Sequence, residues 1–563
     1  MRVKVVVGSL IAGSVALLGA TLIAQGGAAP VPSFATANIN SGDVAAGLKN
    51  PARWLSYSGD YTSQRYSPLT QITAANVSQL SAQWTFQTGV VGKFEATPLV
   101  IDGTIYVTGA LDHAWALDGK TGKQLWHYQR FPTTGPGGTP LPAGAAPPGL
   151  KVCCGLVNRG FAVWHDKLYT TTLDAHLLAL DMKTGKVVWD NPIAEPKDGF
   201  AGTAAPLLVK DKLIVGLAGG EYAIRGFISA FDPETGKEVW RFYTVPGPGQ
   251  PGFESWSATW DKGGGPAWLT GSYDPELNLI YWGTGNPNPD FYGVDRKGDN
   301  LYTGSLVALD ADTGKLKWHY QFTPHDEHDW DAVEMPVLAD ITIGGRARKV
   351  VMQANRNGFF YVLDRATGEF LLGKPFVNTT WAKEIGKDGK PIELPNQRPT
   401  AQGTTTCPDL YGGTNFNSPS FSPQTGLFYV SARETCMVYR QSPPPTDYKT
   451  GDRTMGGQMQ FMAGTGALRA IDPVTGAMKW ELKQETPSWG GVLTTAGGVV
   501  FSGDNEGNFF AADARTGARL FNYGTGAAVY AAPTTYTIDG RQYILMPSGM
   551  NLTAFALPQG GGR

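Results

Sequence analysis

The sequence predicts an all-β fold: an eight-bladed β-propeller of four-stranded antiparallel blades, its ring closed by an N-terminal strand. Three observations lead there. A motif containing Asp-x-x-Thr-Gly recurs seven times along the chain. The composition is rich in turn formers and in a large aromatic, with 73 Gly, 39 Pro and 16 Trp in 563 residues. The closest copies end 41 residues apart, near the roughly 40–50 residues of one propeller blade.

The copies run in order as ALDGKTGKQLW to Trp126, ALDMKTGKVVW to Trp189, AFDPETGKEVW to Trp240 and ALDADTGKLKW to Trp318. VLDRATGEFLL to Leu372, AIDPVTGAMKW to Trp480 and AADARTGARLF to Phe521 complete the set. Each reads as strand, tight turn, strand. Asp and Thr cap the turn through side-chain to backbone hydrogen bonds, and Gly supplies the positive φ. The final aromatic is expected to pack on a neighbouring unit. The 108-residue interval before Trp480 is one blade with large insertions, because strand-like GLFYVSA (426–432) precedes a single copy of the turn. After Phe521 the stretches AAVYAAPTTY, RQYILMPSG and LTAFAL supply three strands of a last blade. LSAQWTFQTG (80–89) supplies its fourth from the other end of the chain and closes the ring, which removes most exposed sheet edges.

The chain opens with Arg2 and Lys4, then an uncharged apolar run to about Ile23, then small residues. That pattern is a secretory signal peptide, placed over residues 1–37, with residues 38–563 forming the propeller domain. The alternative is a membrane anchor, since the run nearly spans a bilayer. Nothing later is apolar enough to span, so the mature protein is expected to be periplasmic, where disulfides persist. Lys and Arg number 46 against 48 Asp and Glu, and this balance gives no basic patch for nucleic acid.

Chemistry-bearing residues concentrate outside the repeats. TPHDEHDWDAVE (323–334) holds five carboxylates. In an extended segment Glu327, Asp329 and Asp331 would share a face, and three carboxylates on one face call for a cation or for retained protons. An all-oxygen set suits a hard cation such as calcium. AGGEYAIRG offers Glu221 after two glycines that permit close backbone approach, and GTGNPNPD offers Asn286 in a Pro-flanked turn. Arg159 and Arg356 suit carboxylate recognition. Trp268, after three glycines, and Trp489 suit a planar ligand. Cys153 and Cys154 are neighbours. They could be thiols, metal ligands or a disulfide between adjacent residues, and in an oxidising compartment lasting thiols are disfavoured.

Together these stretches resemble the pyrroloquinoline quinone (PQQ) dependent alcohol dehydrogenases, from about residue 50 to 557. The resemblance is carried by FEATPLV (94–100), CCGLVNRG (153–160), GGEYAIRG (219–226), GGGPAW (263–268), DPELNLIYWGTGNP (274–287), TPHDEHDWD (323–331) and RNGFFYVLDR (356–365). It implies a Cys153–Cys154 disulfide over one face of the quinone and Trp268 on the other. It further implies Glu95, Arg159, Thr203, Gly219 and Gly220 around the cofactor's carboxylates and ring edges. Arg356 would lie by the quinone oxygens, with Asn415 and Trp489 bordering the pocket. Glu221, Asn286 and Asp329 would hold the metal, with Asp329 also the catalytic base. Relatives of the lanthanide-dependent type carry Asp where this chain has Asp331, and calcium-dependent ones a small neutral residue; this favours a lanthanide ion over Ca2+. Two positions depart from the family pattern: Pro266, where methanol enzymes often have Thr, and Asp290, where relatives often have Trp.

The resemblance implies oxidation of a small alcohol, of unspecified identity, by hydride transfer to PQQ. The chain contains no C-x-x-C-H and hence no covalent haem site, so a separate cytochrome c is expected to accept the electrons. A homodimer stays open. Cys407 and Cys436 are available for a second disulfide. The rival readings are a calcium quinoprotein acting on another alcohol or on an aldehyde, and a non-catalytic propeller scaffold, which would need none of the site residues.

Overall fold

Eight sheets are built on one plan in this computed structural model, which describes residues 38–134, 142, 145–257 and 259–559. The expected signal peptide, residues 1–37, lies outside the described residues. Six of the sheets are four-stranded antiparallel meanders, and two more carry a fifth strand contributed from near the N-terminus, Arg53–Trp54 and Tyr66–Ser67. The chain is an all-β propeller. No helix among the described residues is long and apolar enough to cross a membrane.

The sheet containing Val337–Ile343, Arg346–Ala354, Phe359–Asp364 and Phe370–Pro375 illustrates the plan. Its third strand is buried along nearly its whole length, whereas its fourth is half-buried or exposed. A strand covered on both faces reads as a continuous apolar run, here FFYVL, and gives no alternation.

The recurring turn joins the third strand to the fourth. Asp118 Oδ1 accepts the backbone N–H of Lys120 at 3.1 Å and that of Thr121 at 2.8 Å, together with the Thr121 hydroxyl at 2.7 Å. Asp181, Asp232, Asp310, Asp364 and Asp513 hold their own Thr hydroxyls in the same way. The motif glycines take φ between 66° and 78°, where a Cβ would be strained.

Those glycines also form the seams between sheets. A Cβ on Gly185 would lie 2.7 Å from the Trp126 ring of the preceding sheet, and one on Gly314 would lie 2.4 Å from Trp240. The indole N–H then reaches a carbonyl of the next sheet: Trp126 to Met182 at 3.0 Å and Trp480 to Ala514 at 3.1 Å. The last seam involves both ends of the chain. Ser81–Gln87 pairs antiparallel with Asn551–Ala556, completing the last sheet. From it Trp84 packs on Gly122 and donates to Gly119 O at 3.3 Å, in the first sheet.

Two differences from the sequence reading stand out. Of AAVYAAPTTY only Thr534, Thr535 and Tyr536 are strand, at the start of Thr534–Ile538, because Pro533 has no N–H to give a ladder. The long fifth interval, from Leu372 to Trp480, folds two small extra sheets. One pairs Ala382–Ile385 with Pro391–Glu393, and the other joins Thr404–Thr406, Met437–Gln441 and Gly457–Phe461. Cys407 and Cys436 pair as a disulfide at the edge of the second.

Candidate active site

Strand direction decides where the site residues gather. In an antiparallel meander the entry to the first strand and the exit from the second lie at the same end of a sheet. Glu95, Cys153, Cys154, Arg159, Thr203, Trp268, Asp329, Asp331, Asn415 and Trp489 all precede the first strand of a four-strand meander. Gly219, Gly220, Glu221, Asn286 and Arg356 all follow a second strand. Every one of them lines a single cavity of about 240 Å³, a size for a small molecule. The Asp-x-x-Thr-Gly turns, following third strands, occupy the opposite end.

Cys153 and Cys154 are joined as a disulfide. Cys154 Sγ lies 3.6 Å from Glu221 Oε1. Oxidised sulfur has no proton and no thiolate charge, so this proximity is a contact and not a metal site. The Arg159 guanidinium sits 5.0 Å from the Trp268 ring centroid and 5.1 Å from that of Phe416. Its Nη2 pairs with Glu95 Oε2 at 2.6 Å, while its Nε is buried without a partner. Burial pushes the Glu95 carboxyl up, with Arg159 and Lys93 opposing. Thr203 contributes its carbonyl to the Arg159 backbone N–H at 3.1 Å. Asn415 donates to Tyr411 O at 2.9 Å, and Trp489 stacks on Phe416 at 5.4 Å.

The loop 323–336 is not an extended strand. Asp329 has φ of 62°, which breaks the alternation expected for an extended segment. Glu327 therefore does not join the cavity carboxylates. It accepts from Gly293 N–H at 2.8 Å and from Arg398 Nη1 at 3.1 Å. Asp329 and Asp331 both reach the cavity. Asp331 Oδ1 accepts the Asn286 backbone N–H at 2.6 Å. Asp331 Oδ2 accepts the Trp268 indole N–H at 2.8 Å and pairs with Arg356 Nη2 at 2.9 Å. Arg356 Nη1 also donates to Asp329 O at 2.9 Å.

These groups are crowded. Burial holds the Asp329 carboxyl well above the usual carboxylate range, with Asp290 and Asp331 adding to the rise and Arg356 opposing it. Glu221 is raised by burial and by Asp331. Burial lowers the Arg356 guanidinium, but Asp331, Asp329, Glu334 and Glu221 outweigh it and raise it.

The residues present fit a hard cation beside a planar anionic ligand. A carboxylate offers about four lone-pair positions, and Asp331 uses three, leaving one for an ion. Asn286 Oδ1 stands free beside Gly220, where a Cβ would come within 2.8 Å of it. Gly219, at φ 134°, lets the backbone approach where a Cβ would strike Gly199 O. The unpartnered Nε of Arg159 has a donor to spare.

Sequence reasoning left several wall residues unassigned, among them Lys93, Tyr411, Phe416, Met455 and Met459. The two methionines lie in the Met-rich TMGGQMQFM (454–462), the one visible signal for them.

Residues 54–375 and 456–544 match the model of the PQQ glucose/ethanol/alcohol dehydrogenase β-propeller domain. The chain belongs to the PQQ-dependent alcohol dehydrogenase family. It is 39% identical to quinohemoprotein alcohol dehydrogenase ADH IIB of Pseudomonas putida, over 93% of this chain and 77% of that protein. It is 37% identical to the lanthanide-dependent methanol dehydrogenase of Methylacidiphilum fumariolicum (strain SolV), over 94% of this chain and 90% of that one. Among solved structures, a europium-containing methanol dehydrogenase superposes with a TM-score of 0.84 at 34% identity, covering 92% of this chain and all of that one, 100%. This PQQ-dependent family gives the cavity a ligand class consistent with its arginines and indoles.

Proposed function

We propose that the cavity holds PQQ between the Cys153–Cys154 disulfide and the Trp268 indole, with a lanthanide ion on Glu221, Asn286, Asp329 and Asp331. The protein then oxidises primary alcohols to aldehydes in the periplasm, after export by the segment 1–37, and passes electrons to a separate cytochrome c. The eight sheets are read as eight blades of a closed ring.

Asp331 carries the metal assignment. With Glu221 and Asp329 it makes three carboxylates in one cavity, and three negative charges match a trivalent ion. The likeness to a lanthanide-dependent relative supports the same choice. Two disulfides support an oxidising compartment.

The quinone, when bound, supplies a hydride-accepting carbonyl, and the cation the Lewis acid that polarises it. The protein's own groups do the rest. Asp329 accepts the alcohol O–H proton on a carboxylate oxygen. Burial shifts that carboxyl toward its protonated form, and the positive charge of a cation favours the ionised, basic form. Arg356 holds the Asp329 backbone carbonyl and the Asp331 carboxylate, fixing the Asp329 main chain and the Asp331 side chain relative to Trp268. Arg159, Glu95 and the glycine pair position the ring edges.

A second reading, with calcium, is favoured by one observation. Arg356 lies 2.9 Å from Asp331 and neutralises it, which leaves Glu221 and Asp329 to match a divalent ion. Reconstitution separates the two. Chelator-treated protein is loaded with PQQ and either La3+ or Ca2+, and dye-linked oxidation of primary alcohols is followed. Lanthanum is expected to support a rate more than about tenfold above calcium, and Asp331→Ala to remove that preference. Activity with calcium alone would overturn the lanthanide assignment.

A further inference from the structure

Asp290 is fully buried and does not line the cavity. Its Oδ1 accepts from Asn286 Nδ2 at 2.7 Å. The second Nδ2 hydrogen goes to Pro287 O at 3.2 Å. The amide is thereby held in one orientation. Rotated by half a turn, Asn286 would set its own carbonyl oxygen against two acceptors and leave both without a donor. In the observed orientation Oδ1 is free and points to the Gly220 side of the cavity. The main chain of the same residue is pinned separately, by its N–H to Asp331 at 2.6 Å. The other Asp290 oxygen, Oδ2, is buried with no partner. Leaving a buried polar oxygen without a partner is unfavourable.

We infer that Asp290 is a positioning residue of the cation site, orienting the Asn286 side chain so that its carbonyl oxygen, and not its NH2, faces the ion. The inference rests on the cation reading given above. A cation repels an NH2 group and binds a carbonyl oxygen, so the orientation of this one amide decides whether Asn286 is a ligand or an obstacle. Partners that orient a metal ligand typically alter affinity by about 10–100-fold when removed.

The test is a terbium(III) titration of chelator-treated full-length protein, read as luminescence excited through Trp268, whose indole N–H lies 2.8 Å from Asp331 Oδ2. Asp290→Leu removes the acceptor while filling the space. Asp290→Asn keeps an oxygen acceptor but removes the charge. Wild type is expected to bind, Asp290→Asn to bind within about threefold of it, and Asp290→Leu to bind at least about tenfold more weakly. Equal affinity for Asp290→Leu and wild type would overturn the inference. So would an Asp290→Asn variant as weak as Asp290→Leu, since charge and not orientation would then be at work. Absence of terbium binding by wild type would instead remove the cation reading itself. Thermal melts check folding. Replacing a buried carboxylate with an apolar group of similar volume is often neutral or stabilising, and Asp290→Ala gives a second acceptor-free variant.

Discussion

At one end of the sheets Asp118 accepts three hydrogen bonds from its own turn, partly exposed to water, and the indole of Trp126 lies against a glycine of the next sheet. At the other end Asp329 and Asp331 are buried beside Glu221 and Arg356, and the Trp268 indole N–H goes to a carboxylate. The residue types are the same. Where Asp accepts from its own turn and Trp donates to a backbone carbonyl of the next sheet, they recur and hold the sheets together. Where they are placed among other charged groups and left with open lone pairs, they occur once each and make a binding site. Repetition marks stability here, and its interruption marks chemistry.

The contrast can be broken from either side. Asp329→Asn should have the largest effect. General base catalysis is worth about 10²–10⁴ in rate, so kcat for alcohol oxidation by the reconstituted protein should fall by at least about 10². The thermal midpoint should not fall, because a buried carboxyl raised by burial gives way to a neutral group of the same shape. A midpoint loss matching the activity loss would make Asp329 structural. Trp126→Ala should do the reverse. Truncating a buried Trp costs about 3–5 kcal/mol, visible in chemical denaturation, while kcat per folded molecule stays the same. Leu372→Trp should have the smallest effect. Leu372 is where the repeat lacks its Trp, and the Lys374 stem already covers the facing glycine, lying 2.5 Å from where a Gly476 Cβ would be. The expected change in unfolding free energy is under about 1 kcal/mol. A gain of several kcal/mol would show that the lysine stem does not replace the indole.

Much of this was legible in the chain. The turn motif is complete within about five residues, so its hydrogen bonds form whatever lies further away, and seven copies announce seven strand pairs. The Trp of LSAQWTFQTG carried enough of the same signature to place a closing strand. Residues that line the cavity were legible through their motifs, since Glu95, Trp268 and Arg356 sit in stretches that resemble the family's.

What the sequence alone could not set is how those residues meet. Glu95 and Trp489 are far apart in the chain yet share a cavity wall because the ring brings their loops to one end. Parity along 327, 329 and 331 put three carboxylates together, but a positive φ at Asp329 sends Glu327 to Arg398 instead. Asp290 read only as a departure from the family pattern. Its role emerged from a 2.7 Å contact with Asn286. The turn motifs are determined by the sequence because their partners are neighbours. The site is decided by tertiary structure because its charges are buried, and the energy of a buried charge depends on every group packed around it.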